Sequence, residues 1–193
     1  MILDVYDIKK IGVPAKCGSR YFAKSRPYFG FPKRCSFREF YLREFELEYI
    51  IIRNPLEHLK SALQTEVMEC FNDIEWIGKI LKSYKELYNG GSHFYPKFCE
   101  KVYEVWYKSG YKLKVVELSN LSEFMEQMFQ NIPYNEFEYN FHWDKRYVSK
   151  EEVWDKCVSF YPDLMNDLVE HTTNDTKYYN ALLDRDKSLV KLI

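Results

Sequence analysis

Two short segments carry side chains whose common chemistry is anion binding. The first, Ala15-Lys16-Cys17-Gly18-Ser19-Arg20-Tyr21-Phe22, follows an apolar run that ends at Pro14. If its last residues open a helix, the free N–H groups and partial positive charge at that end suit a phosphate. Gly18 lets the backbone approach closely, Ser19 adds a hydroxyl and Lys16 adds a full charge. The spacing is not that of a Walker A loop, and a turn of this composition also serves as a solvated loop. The second segment, Ile50 to Ser61, ends a run of isoleucines, puts Arg53 at its edge and opens a helix at Asn54-Pro55. Ser61 lies seven residues past Asn54. That is nearly two helical turns, so it returns to the same face at a rise of about 10 Å. An arginine lying along this face would bracket a phosphate together with the hydroxyl. The competing reading is an arginine that caps a sheet edge and a serine that faces solvent.

These turns need strands before them and helices after them. Asp7 to Val13 reads as a first strand and Phe45 to Ile52 as a second, the latter ending in three β-branched residues. Between them, Ser25 to Glu44 reads as an irregular or hairpin-like excursion. Asn54 suits a helix cap and Pro55 a first helical position, with Leu56, Leu59, Leu63, Val67 and Phe71 as the buried stripe. A second helix starts near Asp73 and stops at Gly90-Gly91. A third spans Pro96 to Ser109, and Lys112 to Leu118 alternates as a strand. Asn120 with Glu123, and Ser149 with Glu152, read as reciprocal caps of two more helices. A short last helix is expected over Leu164 to Val169. Strands alternating with helices predict an α/β fold, a small and mostly parallel central sheet flanked by helices, in one domain over residues 1–193. In such sheets ligands sit at the carboxyl ends of strands, which is where both turns fall.

The segment Pro14-Ala15-Lys16-Cys17-Gly18-Ser19-Arg20 resembles the 5′-phosphosulfate loop of sulfotransferases, a Pro-x-Lys-x-Gly-Ser/Thr pattern. Arg53-Asn54-Pro55-Leu56-Glu57-His58-Leu59-Lys60-Ser61 is similar to their 3′-phosphate motif, Arg-x-Pro-x-x-Arg-x-x-Ser, with His58 in place of the second Arg. Ser92-His93-Phe94-Tyr95-Pro96 resembles a His-aromatic-x-Pro segment of the carbohydrate branch, and Val115-Val116-Glu117-Leu118 a later strand ending in Glu-x-Leu. The resemblance implies a three-layer P-loop-type fold. It also implies transfer of a sulfuryl group from 3′-phosphoadenosine 5′-phosphosulfate to an acceptor hydroxyl, without a metal. Lys16, Cys17, Gly18, Ser19, Arg20 and Tyr21 would hold the 5′ end of this co-substrate. Arg53 and Ser61 would hold its 3′-phosphate, with Lys145 and Arg146 as a late basic contact. Lys16 would offset charge on the departing oxygen. The acceptor must also lose a proton, which a base of near-neutral pKa removes best. His93 is the candidate; Glu39 and Glu44 are carboxylate alternatives, and a hydrogen-bonded structural histidine is the competing reading.

The whole composition narrows the class. Lys plus Arg number 28 against 29 Asp plus Glu in 193 residues, a net charge of −1, so no nucleic-acid partner is expected. No run of roughly 20 apolar residues offers a membrane span. No secretory signal is visible, and five scattered cysteines (Cys17, Cys35, Cys70, Cys99, Cys157) read as reduced thiols of a cytoplasmic protein. Four histidines without paired spacing give no expectation of zinc. Aromatic and basic residues interleave from Tyr21 to Arg43, a mix suited to a glycan or small hydroxyl acceptor, or to rings folded onto the core. Two other readings stay open: a non-catalytic nucleotide- or glycan-binding protein on the same fold, and a P-loop phosphotransferase.

Overall fold

The four residues Tyr49, Ile50, Ile51 and Ile52 are all buried, although side chains alternate between the two faces of a strand. Such a strand must be covered on both sides, which is the condition of an interior parallel strand. The computed structural model describes residues 2–7, 10–17, 22, 32–36, 47–68, 70–86, 93–128 and 148–185. Its strands are β1 (Ile2–Tyr6), β2 (Ile11–Pro14), β3 (Lys33–Ser36), β4 (Tyr49–Ile52) and β5 (Lys114–Glu117). They form one sheet in the order β3-β1-β2-β4-β5. β2, β4 and β5 run parallel, whereas β1 is antiparallel to both β2 and β3.

The sheet is therefore mixed, not mostly parallel, and the reason lies at its first turn. The expected strand from Asp7 to Val13 is instead the return arm of a hairpin. Tyr6 faces Ile11 across the turn, and the Lys10 N–H donates to the Asp7 carbonyl at 3.3 Å, with Lys10 at φ 46°. A chain reversal at this point turns β1 antiparallel. Among the described residues of the segment Ser25 to Glu44, β3 pairs with the edge of β1 away from β2.

The helices among the described residues are α1 (Pro55–Met68), α2 (Ile74–Lys85), α3 (Phe98–Lys108), α4 (Leu121–Met128), α5 (Lys150–Phe160) and α6 (Pro162–Asp184), with a 3-10 turn at Leu118–Asn120. Their starts follow local chemistry. Asn54 Oδ1 accepts from the N–H groups of Leu56 and Glu57 at 3.1 and 3.3 Å, and Asp73 accepts from Trp76 N–H. Ser149 and Glu152 complete a reciprocal capping box at α5. Asn120 does not cap α4, because the 3-10 turn takes that place and its side chain meets Ser119 instead.

The last helix runs 23 residues, far beyond the expected Leu164 to Val169. Its threonines mask its length in the sequence: Thr172, Thr173 and Thr176 return their hydroxyls to carbonyls three or four residues back. That bonding satisfies a side chain that otherwise favours caps and turns.

Helices cover both faces of the sheet. Ile50 and Ile52 pack with Phe98, Val102, Tyr103 and Trp106 of α3 and with the end of α6. Tyr49 and Ile51, with Ile11 and Val13, pack on Leu121 and Met125 of α4. Full burial of one such isoleucine contributes about 1.5–3 kcal/mol. A further apolar cluster joins α1, α2, α5 and the start of α6 through Leu59, Leu63, Ile77, Leu81, Val153 and Leu168.

One buried carboxylate ties two helices together. Asp175 of α6 accepts from the N–H groups of Cys99 and Glu100 at 2.9 and 2.8 Å, capping α3 from another element. Burial pushes its pKa up to about 7, although the two main-chain donors pull it down. No described helix is long and apolar enough to cross a membrane.

Candidate functional site

β2 and β4 are parallel neighbours, with Gly12 opposite Ile50. Their carboxyl ends lie side by side, and the chain leaving each one meets the other. The Arg53 guanidinium donates from Nη1 to the Lys16 carbonyl at 3.1 Å, with its side chain 18% exposed. Lys16 sits at φ 64°, a left-handed conformation unusual outside glycine, in the turn closed by Cys17 N–H on the Pro14 carbonyl. Its Nζ donates to the Thr65 hydroxyl at 2.6 Å, which itself donates to the Ser61 carbonyl. The turn thus lies along α1 rather than only at its start.

His58 is the reason the turn can lie there. The ring is buried and its Nε2 meets the Ala15 carbonyl at 2.9 Å, so that nitrogen carries the proton. Its ring also lies edge-on to Phe94, with 5.5 Å between centroids. Burial lowers its pKa to about 4, and the cations of Arg53 and Lys16 add to this against the hydrogen bonds. A neutral imidazole therefore joins the first turn to the His93 segment. A second arginine at this buried position would have carried a charge that burial opposes.

His93 is anchored from α1 as well. Glu66 Oε1 accepts from both the His93 N–H and its Nδ1, each at 2.7 Å. Around Arg53, three cations share one carboxylate: Glu57 lies 3.8 Å from Arg53, 3.8 Å from Lys60 and 3.7 Å from Lys150. Two positive charges are left over, so the cluster has the sign and reach to take a phosphate dianion. The Cys17 thiol is not a nucleophile here, since burial pushes its pKa up to about 12.

Of the residues read from the sequence, Lys16, Cys17, Arg53 and Ser61 fall on this edge, and the His93 segment is tied to it through His58 and Glu66. Ser61 makes no direct bond to Arg53; its carbonyl serves the Thr65 hydroxyl. Gly18, Ser19, Arg20 and Tyr21 lie outside the described residues, as do Lys145, Arg146, Glu39 and Glu44. The chain is described again from Val148, whose carbonyl accepts from Gln64 of α1 at 3.0 Å. Sequence reasoning missed Thr65 and Glu66, and also Lys60 and Lys150. Thr65 follows His58 by seven residues, the two-turn spacing that marks one helix face. That signal was readable.

A groove of about 650 Å³ lies apart from these residues, along β5, with Tyr111, Lys114, Val116, Phe124 and Arg185 in its wall. Glu117, at the carboxyl end of β5, also lines it and accepts from the Tyr179 hydroxyl. Among the described residues no group of three or more His, Cys, Asp or Glu is placed to hold a metal. Cys17, Cys70, Cys99 and Cys157 are free thiols. Comparison with protein-family models, with curated proteins and with solved structures found no match.

Proposed function

We propose that the chain is a sulfotransferase on a three-layer P-loop-type fold, moving a sulfuryl group from 3′-phosphoadenosine 5′-phosphosulfate to an acceptor hydroxyl, on a carbohydrate by the motif resemblance. One observation carries the reading: Arg53 donates to the Lys16 carbonyl, so two cationic turns distant in sequence share one sheet edge. An adenosine carrying phosphate at both its 3′ and 5′ positions needs two such anion sites at once.

In this reading the acceptor oxygen attacks sulfur while its proton passes to His93. The bond from sulfur to the 5′-phosphate oxygen breaks, and its electron pair stays on that oxygen. Lys16 exchanges the Thr65 hydroxyl for the departing oxygen and offsets its charge. Arg53, with Lys60 and Lys150, takes the 3′-phosphate in place of the Glu57 carboxylate. In-line geometry and charge do most of the work, as in phosphoryl transfer.

The test is a titration with adenosine 3′,5′-bisphosphate, adenosine 5′-phosphate and ATP, followed by turnover of labelled donor over a panel of glycans. Preference for the bisphosphate and label on a glycan support the reading. Bisphosphate binding with no transfer would leave a nucleotide-binding protein. Preference for magnesium–ATP would move the chain to the phosphotransferases.

A further inference from the structure

One carboxylate oxygen holds His93 at two points. Glu66 Oε1 accepts the main-chain N–H at 2.7 Å, which fixes the backbone, and Nδ1 at 2.7 Å, which fixes the ring. An ionised carboxylate only accepts, so Nδ1 must carry a proton in this pair. A neutral imidazole has one proton, and Nε2 is then bare and basic. The Glu66 side chain is 17% exposed and the His93 side chain 41%, so the acceptor is sheltered while the ring keeps an open edge. From the other side the His58 ring packs edge-on against Phe94, the next residue. Glu66 also follows directly on Thr65, the partner of Lys16. A single turn of α1 therefore holds both the cation and the imidazole.

We propose that Glu66 is a positioning residue that sets His93 in its Nδ1–H tautomer, leaving Nε2 to take the acceptor hydroxyl proton. The source of that proton rests on the sulfotransferase reading, whereas the tautomer rests on the geometry alone. In the step, the proton moves from the acceptor O–H to Nε2, the acceptor oxygen bonds to sulfur, and the sulfur–oxygen bond to the bisphosphate breaks with its electrons on the phosphate.

Nitrogen-15 NMR of the full chain, without nucleotide and at a pH where the ring is neutral, reads the tautomer directly. The wild-type protein is expected to carry the proton on Nδ1, and Glu66→Ala to move it toward Nε2. With donor and a glycan acceptor, Glu66→Ala should lower kcat by about 10²–10⁴-fold, the range for loss of a general base, with bisphosphate affinity unchanged. Adding His93→Ala to it should lower kcat little further, since the two act as one unit.

A wild-type ring protonated on Nε2 overturns the proposal without any variant. Undiminished transfer in Glu66→Ala overturns it as well. If the wild-type protein shows the Nδ1–H tautomer but does not bind the bisphosphate, the sulfotransferase reading fails and the tautomer assignment stands.

Discussion

Arg53 has two jobs that a single substitution separates. Its guanidinium braces the Lys16 carbonyl and, in the sulfotransferase reading, would carry the charge for the 3′-phosphate. Charge-assisted bonds are worth roughly 1.5–3 kcal/mol each, so Arg53→Ala should weaken adenosine 3′,5′-bisphosphate by about 10–100-fold. Adenosine 5′-phosphate should lose far less, and isothermal titration of both nucleotides measures the contrast. Equal losses would mean that the arginine only braces the turn. Lys16 is expected to act on rate more than on affinity, because the charge it meets grows as the bond breaks. Lys16→Ala should therefore lower kcat more than it weakens the bisphosphate, a split that steady-state kinetics and titration resolve. Unchanged turnover would remove Lys16 from the chemistry. The sequence made these two residues legible because a cation beside a turn after a strand is a local pattern. It hid Glu66, whose role comes from the His93 segment that folds onto α1.

At the scale of elements, caps and stripes were readable and chain reversals were not. Asn54 and Ser149 start helices where their side chains said they would, since a cap is settled within four residues. The β1–β2 hairpin was missed because Ile8, Ile11 and Val13 before Pro14 give Asp7 to Val13 the composition of a single strand. The length of α6 was lost for a different reason: its helical state is decided by burial of Tyr178, Ala181 and Leu182, not by local preference. Gly78 of α2 is another tertiary feature. A Cβ there would lie 2.6 Å from the Tyr161 ring, whose hydroxyl donates to the Ile74 carbonyl at 2.8 Å. Gly78→Ala favours the isolated helix, yet overpacking against Tyr161 should cost the protein about 1–3 kcal/mol. Urea denaturation gives the sign. A stabilised variant would show that Tyr161 moves aside freely.

For the molecule as a whole, two buried groups oppose one another across the same pH range. His58 has a folded pKa of about 4, below its unfolded value of 6.5, so its share of stability is present above the latter and is lost as pH falls through the former. Asp175 has a folded pKa of about 7, above 3.8, so its share is present at acid pH and is lost as pH rises through the folded value. Each contributes a few kcal/mol at most, on the scale of about 1.4 kcal/mol per unit. Relative to wild type, Asp175→Asn should gain stability as pH rises, and His58→Gln should gain as pH falls. Denaturation midpoints at about pH 5 and pH 8 measure both slopes. Slopes of the same sign would discard the assignment.

The same α6 that carries Asp175 also places Met165 and Leu168 in the helical cluster and Tyr178 to Leu182 under the sheet. On the ribosome, residues 162–184 leave the exit tunnel after every other element among the described residues. Until they emerge, both apolar clusters lack one wall, and Ile50 and Ile52 of β4 have α3 but not α6 to cover them. The nascent sheet then stays incompletely covered until α6 has left the tunnel. Its exposure to chaperones and to self-association is set by how quickly that one helix docks.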